Sequence, residues 1–276
     1  DIAAMCEQVD EAIAAGALYS LSAMAQTAPD VTLTRIECGT GAKPTNVAER
    51  FTDIFAYKDL HLTFTFSCYL IKHGDEYLVW DTGFAPGTNP SAPKIGLVER
   101  LAELKVKPEQ VKYVGISHFH ADHTGQLSPF ASATLLIGKG DWDGITATPP
   151  MQGANVAGFK DWMGPNARKV EMLTLDKDVW GDDRVVVIRT PGHTPGHTSL
   201  LVRLRSGNNF LLSGDAVHFH ENYETNGVPF FNYDRAQTIA SIERMKKIAA
   251  NLNATVIIQH DLRDIGKLPA FPASAR

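Results

Sequence analysis

Residues 117–125 read Ser-His-Phe-His-Ala-Asp-His-Thr-Gly. They follow directly on an apolar run at residues 111–117, with which they share Ser117. The β-branched and small residues of that run predict a strand that is buried on both faces. Three imidazoles and one carboxylate lie within six residues at the end of this strand. Burying so many polar groups together costs free energy unless they bind a common partner such as a metal ion. Imidazole nitrogen and carboxylate oxygen are ligands that catalytic metal sites use. The stretch therefore predicts a metal site at the rim of a buried sheet.

The order of the side chains in this stretch predicts ligands for two neighbouring ions. His118 and His120 alternate with Phe119, so both imidazoles can point to one side of the chain. Asp122 and His123 lie on the turn that follows, where they can bind a second ion.

Three later segments repeat the arrangement of a strand followed by a candidate ligand. His193 lies between two Pro-Gly pairs, which impose a sharp turn. Because that turn is rigid, His193 and His197 cannot easily bind the same ion. His193, which comes first after the strand, is predicted to bind metal, and His197 is predicted to support the ligands without binding. Asp215 ends an apolar strand and is interpreted as a carboxylate that bridges both ions. His260 follows the last strand and completes the predicted ligand set.

The wider pattern of the chain predicts the fold class. Strand patterns occur in two batches, one in each half, and each batch is closed by a helix and a further strand. This duplication predicts an α/β protein with two mixed sheets packed face to face and helices outside, an αβ/βα four-layer sandwich. We predict a helical extension at residues 1–30 and a single domain at 31–276. The predicted strands are 32–37, 62–72, 77–81, 111–117, 133–138, 184–190, 198–205, 209–213 and 255–259, and the predicted helices are 2–18, 93–110 and 234–251.

Composition excludes several classes of function. The chain has 276 residues, 44% of them hydrophobic and 21% charged, which is the balance of an ordinary globular protein. A net charge of −5 without a basic stripe argues against a nucleic-acid partner. No apolar run reaches the length of about 18 residues that a membrane helix needs. The sequence predicts a soluble protein without a membrane partner.

Cysteine usage and the first residue bear on the compartment. The three cysteines, Cys6, Cys38 and Cys68, are few, odd in number and not paired in a CxxC motif. They are interpreted as buried free thiols and not as a disulfide framework. The chain opens on Asp1 instead of Met, which favours the periplasm or the cell exterior after removal of a signal, with the cytoplasm as the alternative.

The motif from His118 to His123 resembles the HxHxDH motif of the metallo-β-lactamase superfamily. The resemblance extends from Asp81 to His260 and implies a hydrolase domain of that family. It implies that the first metal is held by the residues matching His118, His120 and His193. The second metal is then held by those matching Asp122, His123 and His260, and Asp215 bridges the two. Asp81 matches an aspartate that supports the ligands without binding metal.

Within that superfamily, the chain looks most like the N-acyl homoserine lactonases, the quorum-quenching lactonases. The resemblance rests on residues 213–224, 231–236 and 257–264. It departs at His218, where well-known lactonases place a tyrosine whose hydroxyl contacts the substrate carbonyl. Either His218 takes over as hydrogen-bond donor, or Tyr223 or another group orients the substrate.

The resemblance also implies a mechanism and a cofactor. A hydroxide that bridges two divalent ions attacks the lactone carbonyl, and Asp122 carries the proton to the departing alkoxide. Zinc is the expected metal, although cobalt, manganese or iron suit the same ligands. The expected partner is a small lactone substrate, and a homodimer is left open.

Apolar side chains on two loops are candidates for an acyl-chain pocket. Phe51 and Phe55 lie on the first loop, and Trp142 and Met151 lie on the second. Ordinary core packing is an equally good explanation for each of them.

Other functions remain open on the sequence alone. The alternatives within hydrolases are a β-lactamase, a thioesterase and an organophosphate or aryl ester hydrolase, because a fold does not determine its substrate. A metal-binding module without catalysis is the alternative outside enzymes. It would require closed coordination, and seven ligands shared by two ions leave positions open.

Overall fold

Two large β-sheets form the centre of the computed structural model, which describes residues 29–276. The strands are β1 Val31–Thr40, β2 Thr45–Asn46, β3 His61–Leu62, β4 Thr65–His73, β5 Glu76–Trp80, β6 Val111–Gly115, β7 Thr134–Gly138, β8 Val170–Leu173, β9 Lys177–Asp178, β10 Val185–Arg189, β11 Thr198–Arg203, β12 Asn209–Leu212 and β13 Ala254–Ile257. The α-helices are α1 Leu97–Glu103, α2 Ala121–Thr124, α3 Lys139–Thr146, α4 His220–Thr225 and α5 Arg235–Leu252.

The first sheet has the strand order β1-β4-β5-β6-β7-β8. Strands β1, β4 and β5 are antiparallel, and β4 and β5 form a hairpin at the predicted turn, where Gly74 has a φ of 58°. Strands β5 to β8 pair in parallel. The second sheet has the order β13-β12-β11-β10-β9 and is antiparallel except for the pairing of β12 with β13.

Helix α5 illustrates how local sequence defines an element. The Asp234 side chain accepts a hydrogen bond from the Gln237 N–H at its start, and Asn253 ends it in the left-handed conformation with a φ of 47°. Its buried residues include Thr238, Ile242 and Met245, at the spacing of one helix face. That face covers the outer side of the second sheet.

The apolar clusters confirm the predicted four-layer sandwich. One cluster lies between the sheets and joins Leu33, Ile71 and Trp80 of the first to Val187 and Leu200 of the second. A second cluster packs α1 and the surrounding loops on the outer face of the first sheet, and a third packs α5 on the outer face of the second. The layers are therefore helix, sheet, sheet and helix.

Every predicted strand has an observed counterpart, but the predicted helix at 93–110 is wrong in extent. Only Leu97–Glu103 is α-helical, because Lys105 adopts a φ of 59° and Pro108 then begins a separate 3-10 turn. The short strands β2, β8 and β9 were not predicted, since their sequences lack a run of β-branched residues. The predicted strand at 62–72 joined Leu62 of β3 to β4, which the structure separates. The observed α5 agrees with the prediction at 234–251 within one residue at each end.

The interpretation of all cysteines as free thiols is also wrong. Cys38 and Cys68 form a disulfide between the neighbouring strands β1 and β4, with their Cα atoms 5.8 Å apart. The pairing depends on the register of two strands separated by 30 positions in sequence, which the spacing of the cysteines alone does not indicate.

Residues 1–28 lie outside the described part of the chain, and the predicted helix at 2–18, Cys6 and nearly all of the predicted extension at 1–30 fall there. Between residues 29 and 276, no helix combines the length and apolar character needed to cross a bilayer.

Candidate metal centre

The predicted ligands meet at one rim of the sandwich. His118 follows β6, His193 lies in the turn between β10 and β11, Asp215 follows β12 and His260 follows β13. Strands β10, β12 and β13 run in the same direction, so their carboxyl ends share one edge of the second sheet. The loop after β6 meets this edge from the first sheet, where the Thr198 N–H donates to the Ser117 carbonyl (2.8 Å).

The first group of ligand atoms comprises His118, His120, His193 and Asp215, and these atoms all lie within 4.8 Å of one another. His120 Nδ1 is 2.8 Å from His118 Nε2 and 3.2 Å from His193 Nε2. Three imidazole nitrogens therefore converge on one point from two different sheets.

The second group comprises Asp122, His123, Asp215 and His260, again with ligand atoms within 4.8 Å of one another. His260 Nε2 lies 2.9 Å from Asp215 Oδ1 and 3.7 Å from Asp122 Oδ2. His123 Nε2 lies 3.2 Å from the same Asp215 oxygen. The turn after His120 thus supplies this group, as its sequence order predicts.

Asp215 belongs to both groups through different oxygens. Its Oδ2 faces His118 Nε2 at 3.8 Å and His193 Nε2 at 3.6 Å. Its Oδ1 faces His123 and His260. A carboxylate arranged in this way can bind one cation with each oxygen.

Hydrogen bonds to the far ring nitrogens direct two histidines at the second group. His123 Nδ1 is 2.8 Å from Asp81 Oδ2, and His260 Nδ1 is 2.9 Å from the Thr65 carbonyl oxygen. Because both partners accept, each Nδ1 carries a proton, and in the neutral ring each Nε2 then keeps its lone pair for a metal ion. Asp81 also accepts from the Ser117 N–H at 2.7 Å, which joins it to the start of the ligand loop.

His197 supports Asp215. Its Nε2 accepts the Asp215 N–H at 2.8 Å, so its Nδ1 carries the proton and donates to the Thr190 carbonyl at 3.1 Å. Burial lowers the pKa of His197 to about 3, which keeps the ring neutral as this arrangement requires. Gly214 permits the contact, because a Cβ there would lie 2.7 Å from His197 Nε2.

The electrostatics of the first group favour metal ligands over protonated side chains. Burial holds the pKa of His118 and of His193 well below the usual value, so both imidazoles are neutral. Burial opposes ionisation of Asp215, but His260 and His123 outweigh it and hold the pKa of Asp215 well below its usual range.

The second group carries a different balance of charge. Burial acts to lower the pKa of His123, but the carboxylates of Asp215 and Asp81 outweigh it and raise the pKa. The pKa of His260 is raised in the same way. Burial also opposes ionisation of Asp122, yet His123 lowers its pKa to about 2. Carboxylates that favour positive charge so strongly can be neutralised by a divalent cation in place of protons.

Two buried atoms test whether metal ions suit these residues. His123 Nε2 and Asp215 Oδ1 lie close to each other, and Oδ1 is also close to His260 Nε2, but neither atom makes a contact with hydrogen-bond geometry among the described residues. Buried polar atoms without partners are costly, and a coordinated cation satisfies both. The donor set and these atoms therefore fit one cation in each group.

A cavity of about 570 Å³ opens onto the ligands. Asp122, Asp215, His120 and His260 form part of its floor, and Asp122 is the most exposed of the carboxylates, with 21% of its side chain accessible. Aromatic rings line the walls, and the rim is polar. The other lining residues are Gly41, Ala42, Lys43, Thr45, Arg50, Phe51, Phe64, Phe66, Phe84, Asn89, Pro90, Ser91, His218 and Phe231.

The structure places two of the predicted substrate-binding residues at this cavity. Phe51 and His218 both line it, with their ring centroids 5.1 Å apart. His218 lies 3.3 Å from Asp215 Oδ2, and neither of its ring nitrogens has hydrogen-bond geometry with a described residue. Its side chain is buried and faces the ligands.

Four other predicted substrate contacts do not line the cavity. Phe55 is 85% exposed, and its backbone has a φ of 54°. Tyr223 packs on the cluster around α5, with Lys246 Nζ 5.5 Å from its ring centroid. Trp142 and Met151 pack against the core on the outer face of the first sheet.

Several cavity residues were missed by the sequence analysis. Phe64 and Phe66 alternate with a polar residue, and this period of two could have placed both rings on one face. Phe84 and Phe231 come from separate loops and carry no comparable signal. Their position depends on how the loops after β5 and α4 approach the ligands.

Comparisons with known proteins agree with this fold. The family model described as the metallo-beta-lactamase superfamily matches residues 66–260. The N-acyl homoserine lactonase AttM of Rhizobium radiobacter is 35% identical over 170 residues, which are 60% of this chain and 64% of the relative. The AttM protein of Rhizobium johnstonii is 32% identical over 213 residues, which are 70% of this chain and 80% of the relative.

A solved structure has the same fold. The crystal structure of a quorum-quenching N-acyl homoserine lactone lactonase superimposes with a TM-score of 0.74 at 22% identity and covers 88% of this chain and 98% of its own. The chain spans less than two thirds of the first of these relatives, at 64%, and more of the second, at 80%. Because the family model covers most of the sequence and includes each predicted ligand, this chain belongs to the metallo-β-lactamase superfamily.

Proposed function

We propose that this protein is a hydrolase that opens the lactone ring of N-acyl homoserine lactones with two divalent metal ions. The observation that carries the proposal is the position of Asp215 between two complete ligand groups, at the floor of an aromatic cavity. The names of the similar relatives support lactones as the substrate class.

The proposed ligands of the first ion are His118, His120 and His193, and those of the second are Asp122, His123 and His260, with Asp215 shared. Two divalent ions bound there would polarise the lactone carbonyl and make hydroxide available near neutral pH. Zinc is the proposed ion because imidazole and carboxylate ligands with open positions are its usual catalytic set, and cobalt, manganese and iron are alternatives.

Asp122 is proposed to move a proton during ring opening. Its carboxylate reaches the cavity, whereas Asp215 is almost completely buried. A carboxylate at that position can accept a proton from the attacking water and deliver it to the alkoxide of the opened ring. The product is then an acyl homoserine with a free hydroxyl and a carboxyl group, which releases its remaining proton to solvent near neutral pH.

His218 is proposed to hold the substrate. Both of its ring nitrogens lack a hydrogen-bond partner in the described protein, and the ring lines the cavity beside Phe51. The neutral ring can donate one hydrogen bond to the lactone or amide carbonyl. His218→Asn, which keeps a donor, is expected to retain more activity than His218→Ala, which should lose about tenfold in kcat/KM.

The aromatic walls are proposed to hold the acyl chain. The cavity has an apolar side, while the candidate ligands form part of its floor; the rings on the apolar side are Phe51, Phe64, Phe66, Phe84 and Phe231. Burial of methylene groups against such rings favours binding by about 0.8 kcal/mol per group.

The proposed compartment is the periplasm or the cell exterior. The disulfide between Cys38 and Cys68 needs oxidising surroundings, whereas thiols in the cytoplasm are kept reduced. A homodimer stays a prediction, and sedimentation of the purified chain would check it.

The proposed function is tested by mass spectrometry of homoserine lactones of several chain lengths, with and without a chelator. Ring opening adds one water, should require metal and should be restored by zinc. Nitrocefin, a glutathione thioester and paraoxon serve as competing substrates for the other hydrolase classes. If the metal-loaded protein turns over one of these much faster than every lactone, the proposed substrate class is wrong.

A further inference from the structure

Asp141 is a completely buried carboxylate that no part of the proposed mechanism uses. It lies in the first turn of α3 and accepts three hydrogen bonds. The Gly196 N–H donates to its Oδ1 at 2.6 Å. The Thr194 hydroxyl and the Phe119 N–H donate to its Oδ2 at 2.9 and 3.2 Å. No cationic side chain of the described protein is among these partners.

All three donors belong to the loops that carry the first ligand group. Phe119 lies between His118 and His120, and Thr194 directly follows His193. The first loop follows β6 of the first sheet, and the second joins β10 to β11 of the second sheet. One carboxylate therefore ties together ligand loops from the two halves of the molecule.

Glycines in this region allow the backbone at the start of α3 to lie directly against the loop that carries His193. A Cβ on Gly138 would lie 1.8 Å from the Gly196 carbonyl oxygen, and one on Gly140 would lie 2.7 Å from the Pro195 backbone. A Cβ on Gly196 would lie 2.2 Å from the Asp141 nitrogen. Three glycines thus bring the start of α3 into backbone contact with the loop of His193.

Burying a carboxylate without a cationic partner costs more free energy than a purely structural hydrogen-bonded contact requires. Burial raises the pKa of Asp141 to about 7 in spite of its three donors. The protein tolerates this cost at a place where one side chain accepts hydrogen bonds from both loops of the first ligand group.

We propose that Asp141 is a positioning residue that sets the distance between His193 and the pair His118 and His120, and so determines the metal affinity of the first ligand group but not of the second. The inference rests on the proposed metal centre. It concerns metal binding, and so it can be measured without any lactone.

The test measures zinc affinity one group at a time in the full chain. His260→Ala leaves the first group complete, and His193→Ala leaves the second complete. In each background, Asp141→Asn is compared with the parent by titrating metal-free protein with zinc at pH 8 against a competing indicator. The amide removes the charge and turns an N–H towards at least one of the three donors.

The expected loss is confined to the first group. Loss of a supporting partner typically weakens metal binding by about 10- to 100-fold, which is the change expected in the His260→Ala background. In the His193→Ala background the affinity should change by less than about twofold, as for independent sites. Equal losses in both backgrounds, or no loss in either, would overturn the proposal.

Two further variants separate positioning from simple damage to the fold. Thr194→Val removes one donor and keeps the side-chain shape, so it should lower the affinity of the first group in the same direction, even if Asp141→Asn fails to fold. Asp264→Asn is the control, because Asp264 is also a buried carboxylate and accepts the Ile258 N–H at 2.7 Å, beside the second group. Unlike Asp141, it also pairs with Lys267 at 2.8 Å, so its replacement is at least as disruptive. It should leave zinc affinity in the His260→Ala background unchanged. An equal loss there would assign the effect of Asp141 to general destabilisation.

A failure of the proposed lactonase function gives a different result. If the protein binds zinc in both groups but opens no lactone, the titrations still decide the role of Asp141. If neither group binds zinc in the parent chain, the metal centre itself is wrong.

Discussion

Asp122 differs from Asp215, which also lines the cavity, because 21% of its side chain is accessible compared with 5% for Asp215. Asp122→Asn keeps the volume but removes the proton acceptor and one charged ligand. We expect kcat for lactone opening to fall by at least about 100-fold, as for loss of a general acid–base group. Circular dichroism and thermal unfolding should stay close to the parent, because Asp122 is on a surface-facing turn. A variant that keeps more than a tenth of the parent activity would contradict this role.

His197 acts through Asp215, whose N–H it accepts. His197→Ala leaves that buried N–H without a partner, which costs about 1–3 kcal/mol. We therefore expect a lower free energy of unfolding together with a lower metal content, measured by denaturant unfolding and elemental analysis. An inactive variant that is stable and fully metallated would instead assign His197 to catalysis.

Asp141 predicts a dependence of stability on pH. Its pKa is raised from 3.8 to about 7 in the folded chain, so the folded state holds this proton more tightly than the unfolded state. The free energy of unfolding should therefore fall as pH rises from about 4 to about 7, with a limiting slope of about 1.4 kcal/mol per pH unit, and level off above. The measurement is the difference between metal-free parent and Asp141→Asn across this range. A difference that does not change with pH would show that Asp141 is ionised throughout.

At the scale of elements, the pairing of β1 with β4 is held by the bond between Cys38 and Cys68 as well as by its hydrogen bonds. The bond closes a loop of 30 positions. Reduction, or Cys68→Ala, should lower the free energy of unfolding by about 2–4 kcal/mol. The sequence has three cysteines, so thiol titration of the denatured, unreduced chain should find one, Cys6. Three free thiols in protein purified from an oxidising compartment would contradict the disulfide.

The ends of the strands explain why ligands that are far apart in sequence meet at one metal centre. Parallel strands present their carboxyl ends at one edge, and loops at that edge are free to carry ligands while the strands stay rigid. Residues after β6, β10, β12 and β13 all use this arrangement. The short turn α2 adds Asp122 and His123 without a further strand.

At the scale of the whole molecule, the cavity lies where loops from both sheets meet, and Phe231 forms its outer edge at 40% exposure. Phe231→Ala should reduce kcat/KM for dodecanoyl homoserine lactone by about 5- to 30-fold, since partial burial of an acyl chain on this ring contributes about 1–2 kcal/mol. The butanoyl substrate should be affected much less. Phe230→Ala is the matched control, because Phe230 is 69% exposed and does not line the cavity. Equal losses for both substrates would place the acyl chain elsewhere.

The sequence by itself predicted the strands before each candidate ligand, because these features are local, and the repeated batches of strands predicted the four-layer fold. The full division of the predicted ligands into two sets came from the family resemblance. A ligand directly after a buried strand lies at the rim of the sheet whatever surrounds it, and the residue order of 118–123 separates the two groups. Only the tertiary structure decided which aromatic rings line the cavity, that Cys38 meets Cys68, and that Asp141 joins two ligand loops. Phe51 and Phe55 are four positions apart with similar surroundings in sequence, yet one lines the cavity and the other points to solvent. Such contacts depend on strand register and on backbone approach between distant segments, and neither leaves a periodic pattern in the chain.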